Sequence, residues 1–134
     1  MKLDFIEDFN RGQYLEPQPV QDHLVRLFDF DKLQADRLRQ TIQATIIEKG
    51  KPLDLTKVDF IETINCNLTL RIAEIDVGIT TVDKRNFFCD LTISGYENMI
   101  YLLEPFCEKG SNGYQWLYDI DTPIELLFSP GGTW

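Results

Sequence analysis

Apolar and polar positions alternate along some stretches of this chain and fall at helical spacing along others. Residues 23–30, His23-Leu24-Val25-Arg26-Leu27-Phe28-Asp29-Phe30, alternate imperfectly and predict a strand. Residues 32–49 place Ala35, Leu38, Ile42 and Ile46 on one stripe at spacings of three and four, which predicts an amphipathic helix. Asp29 or Asp31 is positioned to cap its first-turn amides, and Gly50 followed by Pro52 ends it. Residues 67–75 set Leu68, Leu70 and Ile72 against Thr69, Arg71 and Ala73, the period of a half-buried strand. Residues 79–82 and 87–93 return after turns at Asp76-Val77-Gly78 and Asp83-Lys84-Arg85-Asn86, which together predict an antiparallel meander.

Ser94 with Glu97 three residues on has the form of a capping box, opening a second helix with Tyr96, Met99, Ile100 and Leu103 inward and Pro105 ending or bending it. Residues 114–120 and 124–129 form a hairpin-like pair around Asp121-Thr122-Pro123. At the other end, residues 3–10 have Phe5, Ile6 and Phe9 at helical spacing and predict a short amphipathic helix, closed by Arg11-Gly12. Pro17-Gln18-Pro19 then imposes an extended stretch. Strands running beside segregated helices give an α+β class. The expected layout is an antiparallel sheet of about five to six strands with two main helices on one side, in one domain over residues 1–134.

Composition fits such a domain. The 134 residues are 43% hydrophobic and 26% charged, with nine Phe, five Tyr and two Trp for a core. The longest apolar runs, such as Met99-Ile100-Tyr101-Leu102-Leu103, are far short of the roughly 20 residues a membrane crossing needs. The acidic opening Met1 to Asp8 lacks a secretory leader's basic start and apolar run, so a soluble, cytoplasmic protein is expected. Cys66, Cys89 and Cys107 are odd in number and widely spaced, and Cys89 and Cys107 each follow a Phe, which predicts buried free thiols rather than a disulfide framework or zinc site.

Charge is uneven. The net charge is −9, and residues 59–134 carry twelve acids against four bases, while residues 32–58 are net basic. A field of this sign repels nucleic-acid phosphates and anionic lipid, so neither nucleic acid nor membrane is an expected partner, and a basic protein is favoured.

Residues that could do chemistry are sparse. His23 is the only histidine, and no Gly-x-Ser-x-Gly elbow or phosphate-cradling glycine loop exists; Gly110 to Gly113 and Pro130-Gly131-Gly132 are turns. Asp29 and Asp31 are weak candidates for a cation because two acids meet at a strand-to-helix junction, but capping accounts for both. Glu74 with Asp76, or Asp119, Asp121 and Glu125, supply acids without the geometry that an acid/base pair requires. No cofactor is expected.

The C-terminal aromatics stand out. Tyr114, Trp116 and Tyr118 alternate, which places all three on one sheet face, with Trp134 close behind. As core they need no further role. Exposed and ringed by Asp119, Asp121 and Glu125, they have the composition of a protein-binding hot spot. The favoured expectation is a non-catalytic intracellular interaction domain that binds a basic protein, in the way of an adaptor or an immunity protein occupying a cationic cleft. A small-ligand or carboxylate-based enzyme with a pocket at one end of the sheet, and a subunit of a homo-oligomer, are the alternatives.

Overall fold

The computed structural model describes residues 1–7, 23–108, 113–118 and 124–134. Along the chain come β1 (Lys2–Glu7), β2 (His23–Phe28), α1 (Lys32–Ile42), β3 (Leu53–Asp54), β4 (Glu62–Thr63) and β5 (Asn67–Ile72). After these follow β6 (Gly78–Thr81), β7 (Asn86–Leu91), α2 (Ile93–Glu108), β8 (Gln115–Tyr118) and β9 (Ile124–Ser129). The α+β class is right, and the expected single antiparallel sheet is corrected. There are two sheets, a five-stranded one ordered β4-β1-β2-β9-β8 and a four-stranded one ordered β3-β5-β7-β6. Both are mixed: β1 with β4, β2 with β9 and β5 with β7 run parallel.

Two local expectations change with the topology. Residues 2–7 form β1 and not a helix, because Lys2 to Glu7 pair in register with Phe28 to His23 of β2. The meander fails because β5 lies beside β7, with β6 on the far side of β7. The extended Pro17-Gln18-Pro19 stretch and the Asp121-Thr122-Pro123 turn fall outside the described residues.

Helix α1 forms as its pattern predicts. Asp31 accepts the Gln34 amide at 2.9 Å, while the Gln34 side chain accepts from the Asp31 amide. Ala35, Leu38 and Ile42 are buried, and the stripe continues to Ile46 through a π-helical stretch, Gln43–Glu48. Gly50 at φ 66° closes it, its amide donating to the Ile46 carbonyl.

Helix α2 starts differently from expectation. Thr92, not Ser94, is the capping side chain: its Oγ1 accepts the Gly95 amide at 3.1 Å. Asp76 holds Thr92 in place, accepting its amide at 2.8 Å and its hydroxyl at 2.9 Å. A Cβ on Gly95 would lie 2.8 Å from Asp76 Oδ1, so glycine makes room for this lock. Pro105 sits within α2, which continues to Glu108.

One hydrophobic core joins both sheets and both helices. From the five-stranded sheet come Leu3, Phe5, Val25, Leu27, Leu126 and Phe128, and from the four-stranded sheet Leu68, Leu70, Ile79, Phe87, Cys89 and Leu91. Phe5 meets Phe87 with ring centroids 4.6 Å apart, tying sheet to sheet. Phe128 meets Phe106 at 5.1 Å, tying the first sheet to α2. Tyr96, wholly buried, sets its hydroxyl between the Arg71 and Cys89 carbonyls and so ties α2 to the second sheet.

Each sheet's other face carries an arginine paired across strands. In the first, Arg26 donates Nε and Nη2 to the two Asp4 oxygens at 2.9 and 2.8 Å and lies over the Phe28 ring. In the second, Arg71 does the same to Asp90 at 2.7 and 2.8 Å and lies over Phe88.

Candidate functional site

Strand β8 is the end strand of the five-stranded sheet, and among the described residues it pairs only with β9. Gln115 opposes Phe128 and Trp116 opposes Leu127, but Tyr118 opposes Leu126, so one extra residue is inserted at Leu117. This bulge reverses the alternation. Leu126 and Leu127 face opposite sides, and directly opposed residues share a side. Trp116 therefore lies on the outer face, while Tyr118 turns inward and is buried with Leu117 in the core. The expectation that Tyr114, Trp116 and Tyr118 share one face is corrected for Tyr118.

The other aromatics do converge. Tyr114 lies edge-on to Trp116 at 6.2 Å, and Trp116 edge-on to Trp134 at 6.4 Å. Tyr114 is 49% exposed and Trp134 50%. Trp134 reaches this position because the segment after β9 folds back over the outer face. Ser129 Oγ donates to the Thr133 carbonyl at 2.8 Å and accepts the Thr133 amide at 3.1 Å. Arg26 Nη1 donates to the Gly132 carbonyl at 2.6 Å. Gly132 has φ 73°, and a Cβ there would stand 2.8 Å from Arg26 Nη1.

On the helix side of β8 two concavities adjoin at Leu102. One, of about 410 Å³, is lined by Tyr101, Leu102, Glu104, Pro105, Glu108 and Gln115. The other, about 220 Å³, takes Asp76, Asn98 and Leu102 together with Trp116, Leu117 and Tyr118. Among the described residues neither lining contains a Lys or Arg. Tyr101, Glu104 and Glu108 fall at i, i+3 and i+7, so one exposed stripe of α2 presents all three. Sequence reasoning missed this stripe, although an exposed tyrosine spaced helically with two acids was there to be read.

The remaining sequence candidates disperse. Asp29 pairs with Lys2 at 3.2 Å and Asp31 caps α1, so the two do not share a cation position. Among the described residues no three His, Cys, Asp or Glu side chains gather as a metal site would require. His23 stacks on Phe5 at 6.3 Å in β2. Glu125 sits in β9 opposite Leu24, while Asp119 and Asp121 lie outside the described residues. Asp76 serves the Thr92 cap, and Glu74 is exposed.

All three cysteines are free. Burial pushes the thiols of Cys66 and Cys89 up to about 12, so they stay protonated and poorly nucleophilic near neutrality.

A further hollow of about 610 Å³ lies by β3, where Arg37 and Lys57 are offset by Asp54 and Asp59. Arg37 is already engaged, donating to Asp59 at 3.1 Å and covering the Phe60 ring. At Asp54 burial acts upward, but hydrogen bonds from Thr56 and Asn67 outweigh it and hold the carboxyl below its usual range. At Asp83, amides of Asn86 and Arg85 depress it to about 2. A general acid needs displacement in the opposite direction.

Comparison with family models, with characterised proteins and with solved structures finds no match to this chain. No helix among the described residues is long and apolar enough to cross a membrane.

Proposed function

We propose that this protein acts by non-catalytic recognition of a basic protein partner, through the surface formed by β8 and the exposed stripe of α2. The observation that carries the reading is the pair of adjoining concavities, walled by Asp76, Glu104 and Glu108 with no cation among the described residues of either lining. Tyr101 and the Tyr114–Trp116–Trp134 ring series flank them, supplying large apolar contact area beside fixed negative charge. The net charge of −9 works in the same direction, since a cationic partner is steered toward the surface as it approaches.

The test is a retention experiment on immobilised protein. Wild type is expected to hold a basic protein from lysate of its own cell at low salt and to release it at about 0.5 M, where charge is screened within a few ångströms. The double substitution Glu104→Lys with Glu108→Lys is expected to abolish retention. Retention that survives both the substitution and the salt would refute the reading.

A further inference from the structure

The hollow by β3 shares no described wall residue with the concavities beside β8, and its chemistry is different. Its volume of about 610 Å³ lies within the range of roughly 300–1,000 Å³ in which small molecules are held. Helix α1 lends Arg37, β3 lends Asp54, and the chain just after β3 lends Lys57 and Asp59. Two charges of each sign therefore share one hollow with the apolar Leu53, Val58 and Phe60.

The fold places these charges. The Phe60 ring, packed on the core, lies 4.6 Å from Arg37 Cζ and carries the flat of the guanidinium. Among the described residues only Nη2 of Arg37 donates a hydrogen bond, to Asp59 at 3.1 Å, and the two side chains are 55% and 80% exposed. An ion pair so solvated contributes little, so an incoming carboxylate can take the place of Asp59 on Arg37 at small cost. Asp54 is held through one oxygen. The Thr56 amide and hydroxyl and the Asn67 side-chain amide donate to its Oδ1 at 3.0, 2.6 and 2.9 Å. These bonds keep the carboxylate charged against its partial burial, and they leave Oδ2 with no donor among the described residues.

We propose that this hollow binds a small zwitterion of the amino-acid class, its carboxylate taken by Arg37 with Lys57, its ammonium by Asp54, and its side chain lying on Leu53, Val58 and Phe60. Charge balance selects this ligand class. A simple anion would meet Asp54 and Asp59 and be opposed by the net charge of −9, while a simple cation would meet Arg37 and Lys57. A molecule charged at both ends answers both signs and is not repelled by the overall charge. The site is independent of recognition beside β8, and either can fail without the other.

Three probes separate the charges: L-leucine, which has both; N-acetyl-L-leucine, with the carboxylate alone; and L-leucinamide, with the ammonium alone. Each is titrated to about 10 mM into the isotope-labelled full chain while the backbone amides of residues 53–60 are followed by NMR. L-leucine is expected to bind at least about tenfold tighter than either relative, the effect of losing one charge-assisted contact. Arg37→Gln is expected to weaken L-leucine and N-acetyl-L-leucine about tenfold and to leave L-leucinamide unchanged. Asp54→Asn is expected to weaken L-leucine and L-leucinamide and to spare N-acetyl-L-leucine. Arg37 is an exposed side chain of α1, so its variant decides the matter even if Asp54→Asn loosens the turn at Thr56. Equal binding of the three probes, tighter binding of a singly charged one, or shifts confined to other parts of the chain would each overturn the proposal. So would the absence of any shift, or binding indifferent to the Arg37 substitution.

Discussion

The same device stands on the outer faces of both sheets, and it is covered in only one of them. Arg26 and Arg71 each grip an aspartate with two hydrogen bonds and each cover a phenylalanine. Arg26 and Asp4 are 19% and 13% exposed, Arg26 being held by the Gly132 carbonyl of the segment after β9, whereas Arg71 and Asp90 are 42% and 20% exposed. Pair geometry is thus equal and solvation is not. In water an ion pair gains little over its two hydrated charges, while under cover each charge depends on the other.

Removing one partner exposes the difference most sharply. Arg26→Ala leaves the Asp4 carboxylate under cover without its cation, and a loss of about 3 kcal/mol is expected in urea unfolding. Arg71→Ala is expected to lose less, about 1 kcal/mol, since the Arg71 side of the pair is itself solvated and screened. Equal losses would break the comparison.

The covering segment can be disturbed on its own. Gly132→Ala places a methyl against Arg26 in a left-handed conformation, and a loss of roughly 1 kcal/mol is expected, accompanied by a change in tryptophan fluorescence as Trp134 leaves Trp116. Salt sharpens the contrast further. The small contribution of Arg71 is expected to vanish at about 1 M NaCl, and that of Arg26 to persist, read as the difference between each variant and wild type across ionic strengths.

The thiols give a last, smaller readout. Cys66 lies close enough to Asp4 for that carboxylate to add to the upward push of burial, and Cys89 lies inside β7. Alkylation near neutral pH is expected to modify the half-buried Cys107 first, with Cys66 and Cys89 reacting only on opening. Arg26→Ala is expected to speed Cys66 selectively. Parallel acceleration of Cys89 would mean that the two sheets open together.

What could be read from the sequence follows from how local the deciding interaction is. Helix α1 was legible because its cap, its stripe from Ala35 to Ile46 and its Gly50 stop all lie within the helix and its flanks. Strand β1 was not, because Asp4 is buried between the apolar Leu3 and Phe5, and its burial depends on Arg26 arriving from the next strand. The α2 cap was misplaced for the same reason. Ser94 with Glu97 satisfies the local pattern, but Asp76 comes from 16 residues earlier to fix Thr92 instead. Pairing of β5 with β7 over β6 leaves no trace in either strand's own pattern. At the candidate site, Tyr114, Trp116 and Trp134 were identified and do meet, whereas Glu104 and Glu108, the acids of α2 that line a concavity beside them, were not.

The insertion at Leu117 has a consequence for how this surface can change. Odd and even positions of β8 exchange their roles at that residue, so the pairing register with β9 selects which rings meet water. Were Leu117 to take the place opposite Leu126, Tyr118 would move opposite Glu125 and its ring would turn outward beside Trp116, with no substitution anywhere in the chain. A one-residue slip of pairing, rather than replacement, is therefore the smallest step by which this rim could acquire a new chemical character.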